Sequence, residues 1–213
     1  YLQLGNLDAA KGVVDQLPGI QQKLNPSSFG GAAPPGAGAF ALAAIPARYA
    51  LERGAWAEAA ALEPRPSSTL YADAITWFAR ALGAARSKDP ALVAAAQKNI
   101  DELASLADRL AKANEPYWAE QVTIQRIGAS AWLALAQGQG DRALTLMREA
   151  ADREDRTDKS AVSPGPLAPA HEMLGEMLLE LKRPAEAAAE FQKTIAKEPN
   201  RLRAQKGAAA ARR

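Results

Sequence analysis

A short turn signature recurs along the chain, and it limits the possible folds more than any other feature. A residue that can end one helix is followed, five positions later, by a small residue at which the next helix can approach closely. The copies pair Gly5 with Ala10, Gly54 with Ala59, Lys88 with Val93, Gly138 with Ala143, and Lys182 with Ala187. Successive copies lie 49, 34, 50 and 44 residues apart. This unequal spacing predicts an irregular array of helix pairs with insertions.

The last copy is the most complete. The stretch "AHEMLGEMLLELKRPAEAAAEFQKTIAKEP" runs from Ala170 to Pro199 and has the spacing of a tetratricopeptide repeat (TPR): a bulky residue, a Leu-Gly pair, a second bulky residue, a small residue, an aromatic residue and a closing proline. His171 occupies the position that tryptophan usually takes. We expect Gly175 to touch Ala187 across the helix pair, with Phe191 filling the space beside that contact.

Composition favours helices throughout. Hydrophobic residues make up 48% of the chain, many of them alanine, and β-branched residues rarely alternate with polar ones. The predicted fold is all-α, an irregular TPR-like α-α solenoid of antiparallel helix pairs with inserted loops. The expected helices span residues 7–16, 38–53, 55–62, 69–87, 90–112, 115–137, 140–154, 167–181, 184–197 and 200–211, with a short helical turn at 20–24.

These helices predict one domain over residues 1–213. Its expected units lie at 1–17, 38–63, 69–112, 115–155 and 167–199, with a terminal helix at 200–213 and linkers at 20–37 and 156–166. Pro46 should kink its helix or mark its true start. The repeat-packing residues are expected to be Gly175, Ala187, Phe191, Ala143 and Ala59. The first residues look like the last turn of a helix, which suggests a piece of a longer chain.

Charge and composition exclude several classes of protein. The 26 basic and 24 acidic residues are interspersed and sum to +2, so no broad surface for nucleic acid is expected. The uncharged run from Leu24 to Ala47 contains four prolines and many glycines, so we expect no membrane span. The absence of cysteine rules out a disulfide framework and a thiolate site.

The lone histidine, His171, provides little basis for catalysis or metal binding. A helical zinc site needs a second histidine four residues away, and neither Glu172 nor Glu176 supplies that geometry. The chain has no cysteine and no serine in a G-x-S-x-G turn. We therefore expect no enzymatic activity, no metal and no cofactor, although the longer parent chain could differ. If His171 only fills space, its replacement by phenylalanine should be mild.

Several segments in order resemble one family more closely than they resemble a generic repeat. They include "ALAAIPARYALERGAWAEAAALEPRPS", "YADAITWFARALGAARS", "EPYWAEQVTIQR" and the stretch from Asp158 to Ala204. Together, from Tyr1 to about Ala211, they are similar to the carboxy-terminal portion of a family of bacterial TPR proteins. The resemblance implies a TPR fold and further repeats upstream, which could contact this chain. It implies no established activity. The location could be cytoplasmic or exported, and the resemblance weakly favours export.

The helix expected at 115–137 carries the strongest candidate binding residues. Aromatic, amide and arginine side chains suit recognition of an extended peptide, because they provide contact area and adaptable hydrogen bonds. The candidates for the concave face are Tyr117, Trp118, Gln121, Gln125, Arg126 and Trp132. Two interpretations remain open. These residues line a groove that binds a partner, or they pack against the inserted loops, which fill the groove.

The sequence therefore favours a protein–protein interaction scaffold that binds a protein or peptide segment. The alternatives are a regulatory or lid domain of a larger protein whose enzymatic or metal-binding part lies upstream, and a free-standing small-molecule enzyme. The enzyme would require a deep pocket with convergent carboxylates.

Overall fold

The computed structural model describes residues 1–23, 36–157 and 165–212, and this part of the chain is helical with no β-strand. The all-α prediction is confirmed. A short 3-10 helix (Leu2–Leu4) comes first. The α-helices are α1 (Leu7–Lys23), α2 (Ala37–Glu52), α3 (Trp56–Ala60), α4 (Leu70–Arg86), α5 (Pro90–Lys112), α6 (Pro116–Ala136), α7 (Gly140–Asp155), α8 (Ala170–Glu180), α9 (Pro184–Lys197) and α10 (Leu202–Ala210).

Most helix bounds lie within three residues of the predicted ones, and the exceptions involve proline. Helix α1 continues through Pro18 to Lys23, so the first predicted linker starts later than residue 20. Pro46 lies inside α2 and does not mark its start. The buried Ala44 and Ala47 flank Pro46, so close packing holds the helix together where proline removes a backbone hydrogen bond. Within the two predicted linkers, residues 24–35 and 158–164 lie outside the described residues.

The turn signature corresponds to a defined backbone conformation. Each of its five first residues has a positive φ, from 59° to 77°, including the two lysines that replace glycine. At Gly54 the next amide, that of Ala55, donates a hydrogen bond of 3.0 Å back to the Ala50 carbonyl, which is the Schellman way of ending a helix. Asn114 has the same conformation, with φ 59°, and ends α5 at a turn that the signature did not include. These turns reverse the chain between successive helices.

The helices pack in two layers. The first layer consists of α2, α4, α6, α8 and α10, and each of these helices contacts the next one. The second layer consists of α3, α5, α7 and α9, which pack against the first-layer helices that flank them in sequence. No helix in the described ranges is both long enough and apolar enough to cross a membrane.

The two ends of the array meet. Helix α10 contacts the 3-10 helix, and the Leu202 amide donates a hydrogen bond of 2.7 Å to Oε1 of Gln3. Arg201, immediately before α10, forms an ion pair of 2.6 Å with Glu52 at the end of α2. The last helix therefore packs against the first helices of the array.

The residues predicted to pack the repeats are buried. Ala59, Ala143, Ala187 and Phe191 are fully buried. A side chain on Gly175 would begin 2.8 Å from the Phe191 ring, and the three nearest atoms all belong to that ring. The Phe191 ring is therefore the nearest group to the open face of Gly175, and the contact between Gly175 and Ala187 stays a prediction.

Candidate functional site

A cavity of about 480 Å³ lies where the first-layer helices begin. Residues from the first turns of α2, α4, α6 and α8 line one side of it, together with residues further along α4 and α6. The other side comes from the ends of α7 and α9 and from residues 165–169. The first turns of four first-layer helices therefore converge on this space.

One wall of the cavity is aromatic. The rings of Tyr71 and Trp118 are stacked, with centroids 4.0 Å apart and an angle of 8° between their planes. Tyr117 meets Trp118 edge-on at 4.9 Å, and Phe40 lies 6.4 Å from Tyr71. Rings that contact one another in this way form a stiff apolar surface, which loses little conformational entropy when another group packs against it.

The opposite wall is polar and centres on His171. Its Nδ1 lies 2.6 Å from Oε2 of Glu190 and its Nε2 lies 3.0 Å from Oδ2 of Asp155, so the buried ring joins α7, α8 and α9. Burial lowers the pKa of His171, but the hydrogen bonds to the two carboxylates outweigh burial and raise this pKa above its usual value. Lys197 donates a hydrogen bond to the same Asp155. Asp155 therefore lies between His171 and Lys197 and offsets positive charge on both.

Glu154, the neighbour of Asp155, differs from the other carboxylates of this wall. Burial raises its pKa to about 7, while the Ala170 amide, which donates a hydrogen bond of 2.9 Å, and the charges of His171 and Lys197 oppose the rise. Among the described residues, no Lys, Arg or His nitrogen lies within ion-pair distance of Glu154. Glu154 therefore titrates near neutral pH, and among the described residues it forms no ion pair.

Two further polar atoms at the cavity lack partners. Oε1 of Gln125 and Oγ1 of Thr194 are shielded from solvent, and neither has a hydrogen-bond partner in the part of the chain that the structure describes. Thr194 is 3% exposed. Buried polar atoms without partners are rare and costly in proteins. A bound group with hydrogen-bond donors could satisfy both of them.

Comparison with models of known protein families, with curated proteins and with solved structures finds no match for the chain.

The structure brings four of the six predicted binding residues together. Tyr117, Trp118, Gln121 and Gln125 line the cavity from α6. Arg126 and Trp132 do not line it. Trp132 is 2% exposed, and its ring lies against the guanidinium of Arg86, whose carbon is 3.7 Å from the ring centroid. Trp132 was expected to face the concave surface as a binding residue, but it is buried against Arg86 of α4.

Arg86 belongs to a buried group of charged side chains that we call the central ion cluster. It consists of Glu52, Arg86, Glu172, Glu176, Arg201 and Arg203. Arg86 lies between the rings of Trp56 and Trp132 and forms an ion pair of 2.6 Å with Glu176. Arg201 donates two hydrogen bonds of 2.9 Å to Glu172. The central ion cluster joins α2, α4, α8 and α10 and fills the space between them.

This arrangement separates His171 from Glu172 and Glu176, which we considered as metal ligands from the sequence. Glu172 and Glu176 face arginines in the central ion cluster, whereas His171 faces the cavity with both ring nitrogens occupied. Across the described ranges, no group of three or more potential ligand side chains could hold a metal ion.

Sequence reasoning missed several residues of the cavity, although a signal for some of them exists. Tyr71, Tyr117 and His171 are each the second residue of a first-layer helix, and all three line the cavity. Because a ring-bearing residue recurs at this second helical position, the sequence could have identified Tyr71 as a cavity residue. Glu154 and Thr194 come from the ends of second-layer helices, and no repeat position distinguishes them. Only the packing of the two layers places them at the cavity.

We expect His171→Phe to be clearly destabilising rather than mild, because phenylalanine would leave two carboxylates without their shared donor. The loss should be about 1 to 3 kcal/mol near pH 6. The raised pKa of His171 means that its stabilisation is complete below its unfolded-state pKa, near 6.5, and is lost as the pH rises through the folded-state value. Urea denaturation of both proteins should therefore show a larger difference at about pH 6 than at about pH 9. If the two proteins differed in stability by the same amount at both pH values, that result would contradict charged hydrogen bonds between His171 and its carboxylates.

Proposed function

We propose that this chain is a TPR-like helical repeat protein that binds a short segment of another polypeptide in the cavity. The observation that carries the proposal is the combination of a stacked aromatic wall with buried polar atoms that lack partners. The turn signature and the two layers of antiparallel helices support the repeat assignment. The cavity volume lies within the range of about 300 to 1,000 Å³ that is typical of ligand sites.

Each wall suits a different part of a polypeptide. The rings of Tyr71 and Trp118 offer an apolar surface for side chains, while Oε1 of Gln125 and Oγ1 of Thr194 can accept hydrogen bonds from N–H groups. A role for His171 in proton transfer is less favoured, because both of its ring nitrogens already bond carboxylates. These features favour recognition over catalysis.

Site-specific photocrosslinking tests the proposal. A benzophenone amino acid replaces Gln121 inside the cavity or, as a control, the exposed Asp108 on α5. After irradiation in a bacterial lysate, mass spectrometry identifies the crosslinked peptides. We expect discrete crosslinks to another polypeptide from position 121 but not from position 108. These crosslinks should disappear when Trp118→Ala removes half of the stacked pair.

Two results would contradict the proposal. Crosslinks from position 121 only to residues of this same chain would mean that the protein fills its own cavity. Crosslinks that are the same from both positions, or that survive Trp118→Ala, would mean that capture does not depend on the aromatic wall.

A further inference from the structure

We propose that the cavity binds the cationic side chain of a lysine or arginine, with the charged head beside Glu154 and the aliphatic stem against the aromatic wall. This inference rests on the proposed function and adds the chemistry of the bound segment. It draws on three independent features of the cavity, namely its unpartnered polar atoms, its charge balance and its rings.

The unpartnered polar atoms favour a ligand group that only donates hydrogen bonds. Oε1 of Gln125 is an acceptor, and Oγ1 of Thr194 can accept as well as donate. The carboxylate of Glu154 adds acceptor positions beyond the one used by the Ala170 amide. An ammonium carries three N–H donors and a guanidinium carries five, and neither has an acceptor. These cationic groups match the available atoms better than a carboxylate or a phosphate would.

The charge balance of the cavity leaves Glu154 available. Asp155 is occupied by Lys197 and His171, and Glu190 by His171 and Lys193. Glu198 raises the pKa of Arg201, so the negative charge of Glu198 is partly balanced by that arginine. The lining residues of α2, α4 and α6 carry no Asp, Glu, Lys, Arg or His. An added cation would therefore find its counter-charge in Glu154.

The aromatic wall suits the rest of such a side chain. Lysine and arginine pack their methylene groups along apolar surfaces and keep the charged head in a polar environment. The faces and edges of Tyr71, Trp118 and Tyr117 provide that surface, and a cation close to a ring face gains further attraction. The cavity thus combines an aromatic wall for the methylene groups with polar atoms for the charged head.

Selection from a random heptapeptide display library tests the proposal without assuming a partner. The library is selected in parallel on the wild-type protein and on Trp118→Ala. We expect peptides that bind only the wild type to be enriched in lysine or arginine next to an apolar residue. Wild-type-specific peptides without basic residues would overturn this inference and leave the proposed function standing. If the wild-type protein enriched no peptides beyond those that Trp118→Ala enriches, both this inference and the proposed function would be overturned.

Titration of one selected peptide then tests the role of Glu154. At about pH 8 it should bind about tenfold tighter than its analogue with norleucine in place of the basic residue, because an ion pair that shifts a pKa by one unit is worth a factor of ten. The preference should disappear in Glu154→Gln, which retains an acceptor for the Ala170 amide. It should persist in Glu149→Gln, the same change at an exposed position of α7. Persistence in Glu154→Gln would overturn the inference.

The pH dependence follows from the same group. A bound cation favours ionised Glu154, so binding releases a proton and affinity rises with pH, by about fivefold between pH 6 and pH 8 when binding lowers a pKa of about 7 by one unit. The lysine of the peptide keeps its charge over this range. The charge that His171 loses at higher pH acts in the same direction, and the other charged groups among the described residues that line this part of the cavity are Lys197, Asp155 and Glu198. A rise in affinity as large in Glu154→Gln as in the wild type would assign the pH dependence to His171 and overturn the role of Glu154.

Discussion

Replacing Arg201 by methionine should lower the free energy of unfolding by about 3 to 5 kcal/mol, since removing one partner from a buried ion pair leaves the other charge uncompensated. Arg201 is 4% exposed and pairs with both Glu52 and Glu172. It also donates a hydrogen bond of 3.1 Å to the Leu167 carbonyl. Methionine fills much of the same volume but satisfies none of these groups. Urea denaturation followed by circular dichroism measures the loss.

Two further variants make this prediction specific to the central ion cluster. Glu172→Gln added to Arg201→Met should recover part of the loss, because a neutral amide needs no counter-charge. Arg148→Met removes an arginine from an exposed pair with Glu186 and should change stability little. If Arg201→Met unfolded at the same urea concentration as Arg148→Met, the central ion cluster would not hold the ends of the array together.

Gly175→Leu should cost about 3 kcal/mol, at the upper end of the usual range for overpacking, because rigid atoms occupy the space that the new side chain needs. The Phe191 ring already lies 2.8 Å from the position of the first added carbon, and it is held on its other side by Gly207 of α10. The ring is fully buried, and glycines on α8 and α10 both lie against it. Thermal or urea unfolding measures the effect.

Gly12→Leu is the matched control, because Gly12 is also inside a helix but nothing lies within 4 Å of the added carbon. This variant should be neutral or slightly stabilising, since glycine is a poor helix former. Phe191→Ala is expected to be destabilising alone, yet combined with Gly175→Leu it should cost less than the sum of the two changes. Additive losses would show that Gly175 and the ring do not compete for space.

The space between the first-layer helices is filled in one region and open in another. Near the ends of α2 and α4, the central ion cluster and the rings of Trp56 and Trp132 fill that space. Near the beginnings of α4 and α6, the stacked rings of Tyr71 and Trp118 leave a cavity beside them. A single layer of helices thus supplies both a charged core that joins the array and a site that can receive a ligand.

Local features of the sequence predicted the helices and turns well. The helix from Pro90 to Lys112 and the one from Pro184 to Lys197 have the bounds that their apolar spacing and initial prolines indicated. The turn signature located residues of positive φ even where lysine replaces glycine, at Lys88 and Lys182. These features depend on residues within one or two turns of each other, so neighbouring side chains and backbone geometry are enough to specify them.

The candidate site was only partly predictable. Tyr117, Trp118, Gln121 and Gln125 share one helix, and helical spacing was enough to group them. Trp132 belongs to the same helix, but whether it is open or covered depends on Arg86, which lies on α4. His171 lies on α8, but its two carboxylate partners come from α7 and α9. No spacing within α8 could have indicated them.

The sequence by itself determined the helical class, the positions of the chain reversals and the small residues at which helices meet, because those properties follow from backbone conformation and from the size of nearby side chains. Only the tertiary structure decided that the last helix closes on the first ones through buried arginines, and that Glu154 and Thr194 face a stacked aromatic pair. Those contacts join residues far apart in the chain, and their geometry depends on how the two layers of helices pack.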